Sequence, residues 1–191
     1  MTNIRLRHIE HYADPSSQMN FRLHFQREKE EVRMRRIHIS SRDSSRTPVQ
    51  WNAGRFAGFS TVKPWFYLNR NYRQINVAMQ EDDPASILNF YRNCLKLRKS
   101  SRTLLWGDYR EYAQKNRHVY VYERRLGDVR YLILCSFSHI DRIIKLPRAY
   151  RYQHLYLMLA NYDAAPRYAG LFLTLRPYET RIYRCRITDE S

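Results

Sequence analysis

A chain of 191 residues with 43% hydrophobic and 14% aromatic side chains is long enough to bury a core and to form one or two domains. Its formal net charge is +16, but arginine and lysine are spread along the sequence and form no tail, the pattern of a generally basic, solvated surface. No run approaches the roughly 20 apolar residues of a membrane span, and Arg5, Arg7, His8 and Glu10 interrupt any signal-peptide core, so a cytoplasmic chain with no membrane partner is expected.

Residues 1–14 have no clear period and read as an irregular link. Asp14-Pro15-Ser16 is a helix start, since aspartate caps well and proline suits the first turn. From Ser16 to Arg27 and from Lys29 to Ile39 helix formers dominate. Met19, Leu23, Phe25, Val32, Met34 and Ile37 are the packing positions expected from their spacing. The basic run Arg33 to Arg36 could touch phosphates, but it is assigned first to a solvated helix face.

The stretch from Ser41 to Tyr67 has no period. Prolines, glycines and interleaved Arg, Asp, Gln and Trp read as a long ordered loop, and long ordered loops in compact domains are usually functional. Arg42 and Arg46 offer planar forks of donors, Asp43 can orient one of them, and Trp51, Phe59 and Trp65 offer flat apolar faces. Forks beside flat faces suit a sugar or a phosphate.

After the loop, Asp82-Asp83-Pro84 is read as the opening of the strongest helix. Acids at its start and Lys96, Arg98 and Lys99 at its end complement the dipole. Ile87, Phe90, Tyr91, Cys94 and Leu95 form one apolar face at helical spacing. Beyond about Ser101 the pattern becomes extended. Strands are expected at 109–112, 119–123, 130–137, 140–146, 154–159, 171–175 and 180–187, with turns at Lys115-Asn116, Gly127-Asp128, Pro147, Asp163 to Pro166 and Arg176-Pro177. An antiparallel sandwich follows from seven such strands.

The loop also carries a resemblance. Arg42-Asp43-Ser44-Ser45-Arg46-Thr47-Pro48-Val49-Gln50-Trp51 resembles the RDxxRTPMQW signature of family 13 glycoside hydrolases of the oligo-1,6-glucosidase type. Ala57-Gly58-Phe59, Lys63-Pro64-Trp65, Asn71-Tyr72, Ile75-Asn76-Val77, Asp83-Pro84, Leu97-Arg98-Lys99 and Gly107-Asp108-Tyr109 follow in the family's order, as do Asn161-Tyr162-Asp163 and Thr174-Leu175-Arg176-Pro177-Tyr178-Glu179. Val49 stands where methionine is usual, Asn52 where aspartate is common, and Ala78 where glutamate often follows Asn-Val; the arginine enrichment also departs from the family.

The resemblance implies an α+β piece of a larger enzyme. Residues 1–103 would be the end of a TIM barrel with its active-site loop and last helix, and residues 104–191 the C-terminal β-sandwich. Members are much longer, and their nucleophile Asp, acid/base Glu and transition-state Asp lie on earlier barrel strands. The expectation is therefore that the front of the barrel is missing and that no residue here is catalytic. The implied parent activity is retaining hydrolysis of α-glucosidic bonds in small saccharides. Arg42 is the residue the resemblance assigns to the sugar, with Asp43 fixing its guanidinium. Arg46, Gln50 and Trp51 are assigned to the loop's scaffold ahead of the sugar.

Other chemistries are poorly supplied. Seven scattered histidines form no HxH, HExxH or Cys/His cluster, so no metal is expected. Cys94, Cys135 and Cys185 lie among apolar or strand residues and read as core hydrophobes. Five dispersed glycines make neither GxGxxG nor a P-loop, no GxSxG is present, and no cofactor is expected. The partner expected is a small saccharide once the rest of a barrel is supplied. Self-association is expected through an apolar helix face left without its parallel strands. The alternative is a Tyr/Arg-rich module binding single-stranded nucleic acid, although most of the tyrosines lie in strands, where aromatics pack well.

Overall fold

The computed structural model describes residues 3–150, 154–163 and 171–186. Its packing forms two compact units, Met1–Leu88 and Asn89–Ser191.

The first unit holds α1 (Pro15–Leu23), α2 (Glu30–Ser40) and α3 (Val77–Glu81), joined by long loops with short 3-10 turns. Asp14 caps α1, its side chain accepting from the Ser16 N–H, with Pro15 in the first turn. The core is small: Tyr12, Met34 and Ile37, with Leu6, Ile9 and Phe21 packed against them. Met19, Leu23, Phe25 and Val32 are exposed, so only two of the six apolar positions expected in these helices are buried. Arg33, placed by sequence on a solvated face, is 5% exposed. Its guanidinium lies 4.1 Å from the Phe21 ring centroid and donates to the Phe21 carbonyl. Arg36, in the same run, is paired with Glu28 at 2.6 Å.

The helix expected to open at Asp82 begins later, as α4 (Ile87–Ser100). Asp83 to Ser86 form a turn instead. There the Asp83 carboxylate accepts from the Ala85 N–H, and the Asp83 carbonyl from the Ser86 N–H. This Asx turn competes with the helix for the same donors. The side chain of Gln80 then takes the Leu88 N–H.

In the second unit α5 (Arg102–Trp106) is followed by seven strands: β1 (Asp108–Tyr112), β2 (Val119–Leu126), β3 (Val129–Ser136), β4 (Arg142–Lys145), β5 (Tyr156–Ala160), β6 (Phe172–Leu175) and β7 (Thr180–Arg186). All seven lie where alternation and turn residues place them. The turn expected at Asp163 to Pro166 lies largely outside the described residues, as does Ile187. β1-β2-β3-β7-β5 form one sheet and β4-β6 a second, and every pairing is antiparallel. Between the sheets Val119, Val121, Leu132, Leu134, Ile144, Leu146, Leu173, Leu175 and Tyr183 make the core. This is the antiparallel sandwich.

The larger sheet is buried on its other face too. Tyr131 and Ile133 pack with Leu104 of α5 and Leu97 of α4. Two backbones must approach closely for this. A methyl on Gly107 would lie 2.5 Å from the Thr103 carbonyl oxygen and 2.7 Å from that of Arg125, so glycine fits where a side chain would push helix and strand apart. Part of α4's apolar face remains open, with Ile87 83% and Tyr91 62% exposed. Of the three cysteines read as core hydrophobes, Cys185 lies in the sandwich core and Cys135 packs against the Tyr131 and Ile133 cluster, whereas Cys94 is half-buried and joins no core cluster among the described residues; burial pushes each thiol up from its ordinary value. No helix among the described residues is long and apolar enough to cross a membrane, and none of their His, Cys, Asp and Glu side chains gather into a metal-binding group.

Candidate functional site

Asp14, Arg42, Asp43 and Arg46 form a double clamp at the mouth of the signature loop. Ser41 ends α2, and its hydroxyl accepts from the Asp43 N–H at 3.2 Å, starting a 3-10 turn over Arg42–Ser45. That turn directs the Asp43 carboxylate inward and Arg42 outward. Asp43 is fully buried. Its Oδ2 accepts from the backbone N–H groups of Ala13 at 2.7 Å and Asp14 at 3.0 Å, and its Oδ1 from Arg46 Nη1 at 3.1 Å. It ties the loop to the segment before α1.

Arg42 is held by a different carboxylate from the one expected. Its Nε and Nη2 donate to Asp14 Oδ1 at 3.1 and 2.7 Å, and Nη2 also to the Ser16 hydroxyl at 2.9 Å. Asp43 fixes Arg46 instead, because the 3-10 turn stacks residues three apart. Asp14 is 2% exposed; it caps α1, accepts from the Ser17 hydroxyl at 2.8 Å and clamps the guanidinium. Burial alone would raise the Asp14 carboxyl. The hydrogen bonds from Arg42 and Ser17, with the Arg42 charge, outweigh it and hold the group at about 2.

The outcome is an arginine fixed on one edge and open on the other. Its side chain is 60% exposed, and Nη1 makes no hydrogen bond among the described residues. A fixed fork of N–H donors suits hydroxyl or oxyanion acceptors.

The rest of the loop is built to hold that mouth in place. Gln50 is buried, and its amide donates to the Ile75 carbonyl and to Asn71 Oδ1 at 3.3 Å. The carbonyls of Gln50 and Trp51 accept from the N–H groups of Val77 and Ala78, each at 2.9 Å. The Ala57 carbonyl receives the N–H groups of Trp51 and Asn52 at 2.8 and 3.1 Å. That contact requires a left-handed turn, with Phe56, Ala57 and Gly58 at φ of 51°, 57° and 66°. Strain at non-glycine residues of this kind persists only where surrounding contacts over-determine it. The flat faces of Trp51, Phe59 and Trp65 are each about half exposed or more.

Sequence reasoning missed Asp14 as part of the site. Asp-Pro signals a helix cap, and nothing local tells that the same carboxylate has lone pairs left for an arginine 28 residues on.

Two family descriptions match this chain: the catalytic domain of alpha amylase over residues 10–107, and the C-terminal domain of maltogenic amylase over residues 109–182. The chain belongs to the alpha-amylase family. Among its curated relatives are the oligo-1,6-glucosidases of Parageobacillus thermoglucosidasius and Bacillus cereus, each 31% identical over 98% and 97% of the chain. The chain spans about a third of the length of these relatives, 34% in both cases. Among solved structures, the trehalose-6-phosphate hydrolase of Bacillus licheniformis superposes with a TM-score of 0.88 at 29% identity. It is matched over 98% of this chain and 34% of its own. The isomaltulose synthase of Klebsiella sp. LX3 does so with a TM-score of 0.86 at 30% identity, over 97% of this chain and 34% of its own. These alpha-amylase family enzymes and the seven-strand sandwich agree on the fold that the motifs imply.

Proposed function

We propose that this chain supplies the closing part of an α-glucosidase-type glycoside hydrolase acting on small saccharides. In this reading residues 1–103 carry the sugar-facing loop and residues 104–191 the supporting sandwich. The observation that carries it is the Arg42 guanidinium, locked by buried Asp14 yet with donors open to solvent. Sugar hydroxyls are the acceptors such an edge takes. Asp14 orients the guanidinium, while Asp43 and Arg46 hold the loop that carries it.

The bond-breaking groups lie elsewhere in this reading. Retaining hydrolysis needs two carboxylates about 5 to 5.5 Å apart, one to attack the anomeric carbon and one to protonate the leaving oxygen. The buried carboxylates Asp14, Asp43, Glu123 and Glu179 each face an arginine, at 2.7, 3.1, 3.6 and 2.8 Å. Carboxylates committed to such pairs are poor proton donors, so none supplies the acid that must protonate the leaving oxygen. The 191-residue chain alone should release no nitrophenol from nitrophenyl α-glucoside. Steady release by the pure chain, undiminished by Arg42→Ala, would overturn this division of labour. The exposed face of Ile87 and Tyr91 supports a further proposal, that the isolated chain self-associates in solution.

A further inference from the structure

We propose that a basic pocket in the first unit, separate from the Arg42 clamp, binds the phosphate of a small phosphorylated ligand. The pocket encloses about 560 Å³ between two stretches of chain, residues 3–11 and 67–70. The Asn69 side chain joins the two, donating to the Asn3 carbonyl at 3.2 Å. Arg5, Arg7 and Arg70 line it together with His8, His11 and Tyr67, and no carboxylate does.

None of these three guanidiniums has a hydrogen bond or ion pair among the described residues. That sets them apart from Arg36, Arg42, Arg46, Arg176 and Arg181, each paired with a carboxylate. On their far side Arg5 and Arg7 border a second cleft with Glu30 and Glu31, and neither pairs with them. Like charges facing one concavity repel one another, and they persist without cost only when an anion or solvent ions screen them.

The shape and donor set narrow the anion. Three planar forks offer more donors than a two-oxygen carboxylate accepts, whereas a phosphate monoester presents three equivalent oxygens and nearly two charges. The His11 ring lies 5.8 Å from the Tyr67 ring, and this pair of flat faces at the wall suits a ring-shaped body attached to the phosphate. A pocket of this volume takes a small molecule and not a helix of nucleic acid.

The test is titration calorimetry on the whole 191-residue chain at fixed ionic strength, with glucose 6-phosphate, inorganic phosphate and glucose as probes. Glucose 6-phosphate should bind at one saturable site, inorganic phosphate should compete for it, and glucose should not. The exposed pair Arg7→Gln with Arg70→Gln should weaken binding about tenfold or more, the loss of at least one charge-assisted hydrogen bond, while Arg27→Gln, an exposed arginine outside the pocket, should leave it unchanged. Absence of saturable binding would overturn the proposal, as would equal affinity in the double variant. So would a single-stranded RNA oligonucleotide that binds stoichiometrically and displaces the sugar phosphate, since the patch would then belong to a polymer. None of these outcomes bears on hydrolysis, so the site stands or falls independently of the proposed function.

Discussion

Glu179→Ala should destabilise the second unit by about 3 to 5 kcal/mol, the usual consequence of stranding one member of a buried ion pair. Glu179 is fully buried and Arg181 is 3% exposed. They meet fork to fork, Arg181 Nε on Oε1 and Nη2 on Oε2, both at 2.8 Å. Glu179 also takes the Arg176 N–H at 2.8 Å and Arg176 Nη2 at 3.0 Å, while its own carbonyl accepts from the Ser136 N–H at 2.8 Å. One side chain thus closes the turn between β6 and β7 and neutralises a cation beside the sandwich core. Thermal unfolding of the second unit should fall by about 10 °C or more. Removing the stranded partner as well, in Glu179→Ala with Arg181→Met, should recover part of the loss. A double variant as unstable as the sum of the two single ones would show that the pair is not coupled.

The second large effect is expected at the loop. Asp43→Ala should cost about 3 kcal/mol, because it leaves two inward backbone N–H groups, those of Ala13 and Asp14, without an acceptor and frees Arg46. Arg42→Ala should cost clearly less, because its own side chain is largely exposed and the buried Asp14 carboxylate it leaves keeps its bonds from the Ser16 N–H and the Ser17 hydroxyl. The contrast separates the scaffold role of Asp43 from the presenting role of Arg42, and chemical denaturation of both variants measures it. Acid should reach both units. The carboxyls of Asp14 and Glu179 are each held at about 2 against burial, by hydrogen bonds from Arg42 and Ser17 in one case and from Arg181 and Arg176 in the other. A depressed carboxyl contributes its stability in full above its ordinary value and loses it as pH falls toward the folded value. Unfolding by acid should therefore set in below about pH 4 and run on toward pH 2. Glu179→Gln should flatten that dependence for the second unit, and stability unaffected by pH over this window would contradict the pairings.

The sandwich was legible in the sequence almost strand by strand, because alternation and turn residues report directly on a sheet. Gly127-Asp128 between Leu126 and Val129 shows why: glycine takes φ of 59° at the first central position of a two-residue hairpin. The first unit was less legible. Met19, Leu23 and Phe25 have helical spacing but are exposed, since spacing gives a face without telling whether anything covers it. Buried Arg33 reads as a surface residue, because the two phenyl rings that cover it come from elsewhere in the chain. The clamp was half legible. The signature words marked Arg42, Asp43 and Arg46, while the partner of Arg42 could be fixed only by the fold, which brings Asp14 against it. The turn at Asp83 shows the reverse case, a local side-chain bond overriding good helix signals.

The most direct test of the account is to combine the 191-residue chain with the preceding segment of the Parageobacillus oligo-1,6-glucosidase and assay nitrophenyl α-glucoside hydrolysis. Activity should appear only in the mixture. Arg42→Ala should lower kcat/KM about tenfold or more, the loss of one charge-assisted hydrogen bond to the sugar, while the variant chain still folds and joins the complex. A complex that forms yet hydrolyses nothing, or one whose kcat/KM ignores Arg42→Ala, would contradict the assignment of the sugar to this clamp.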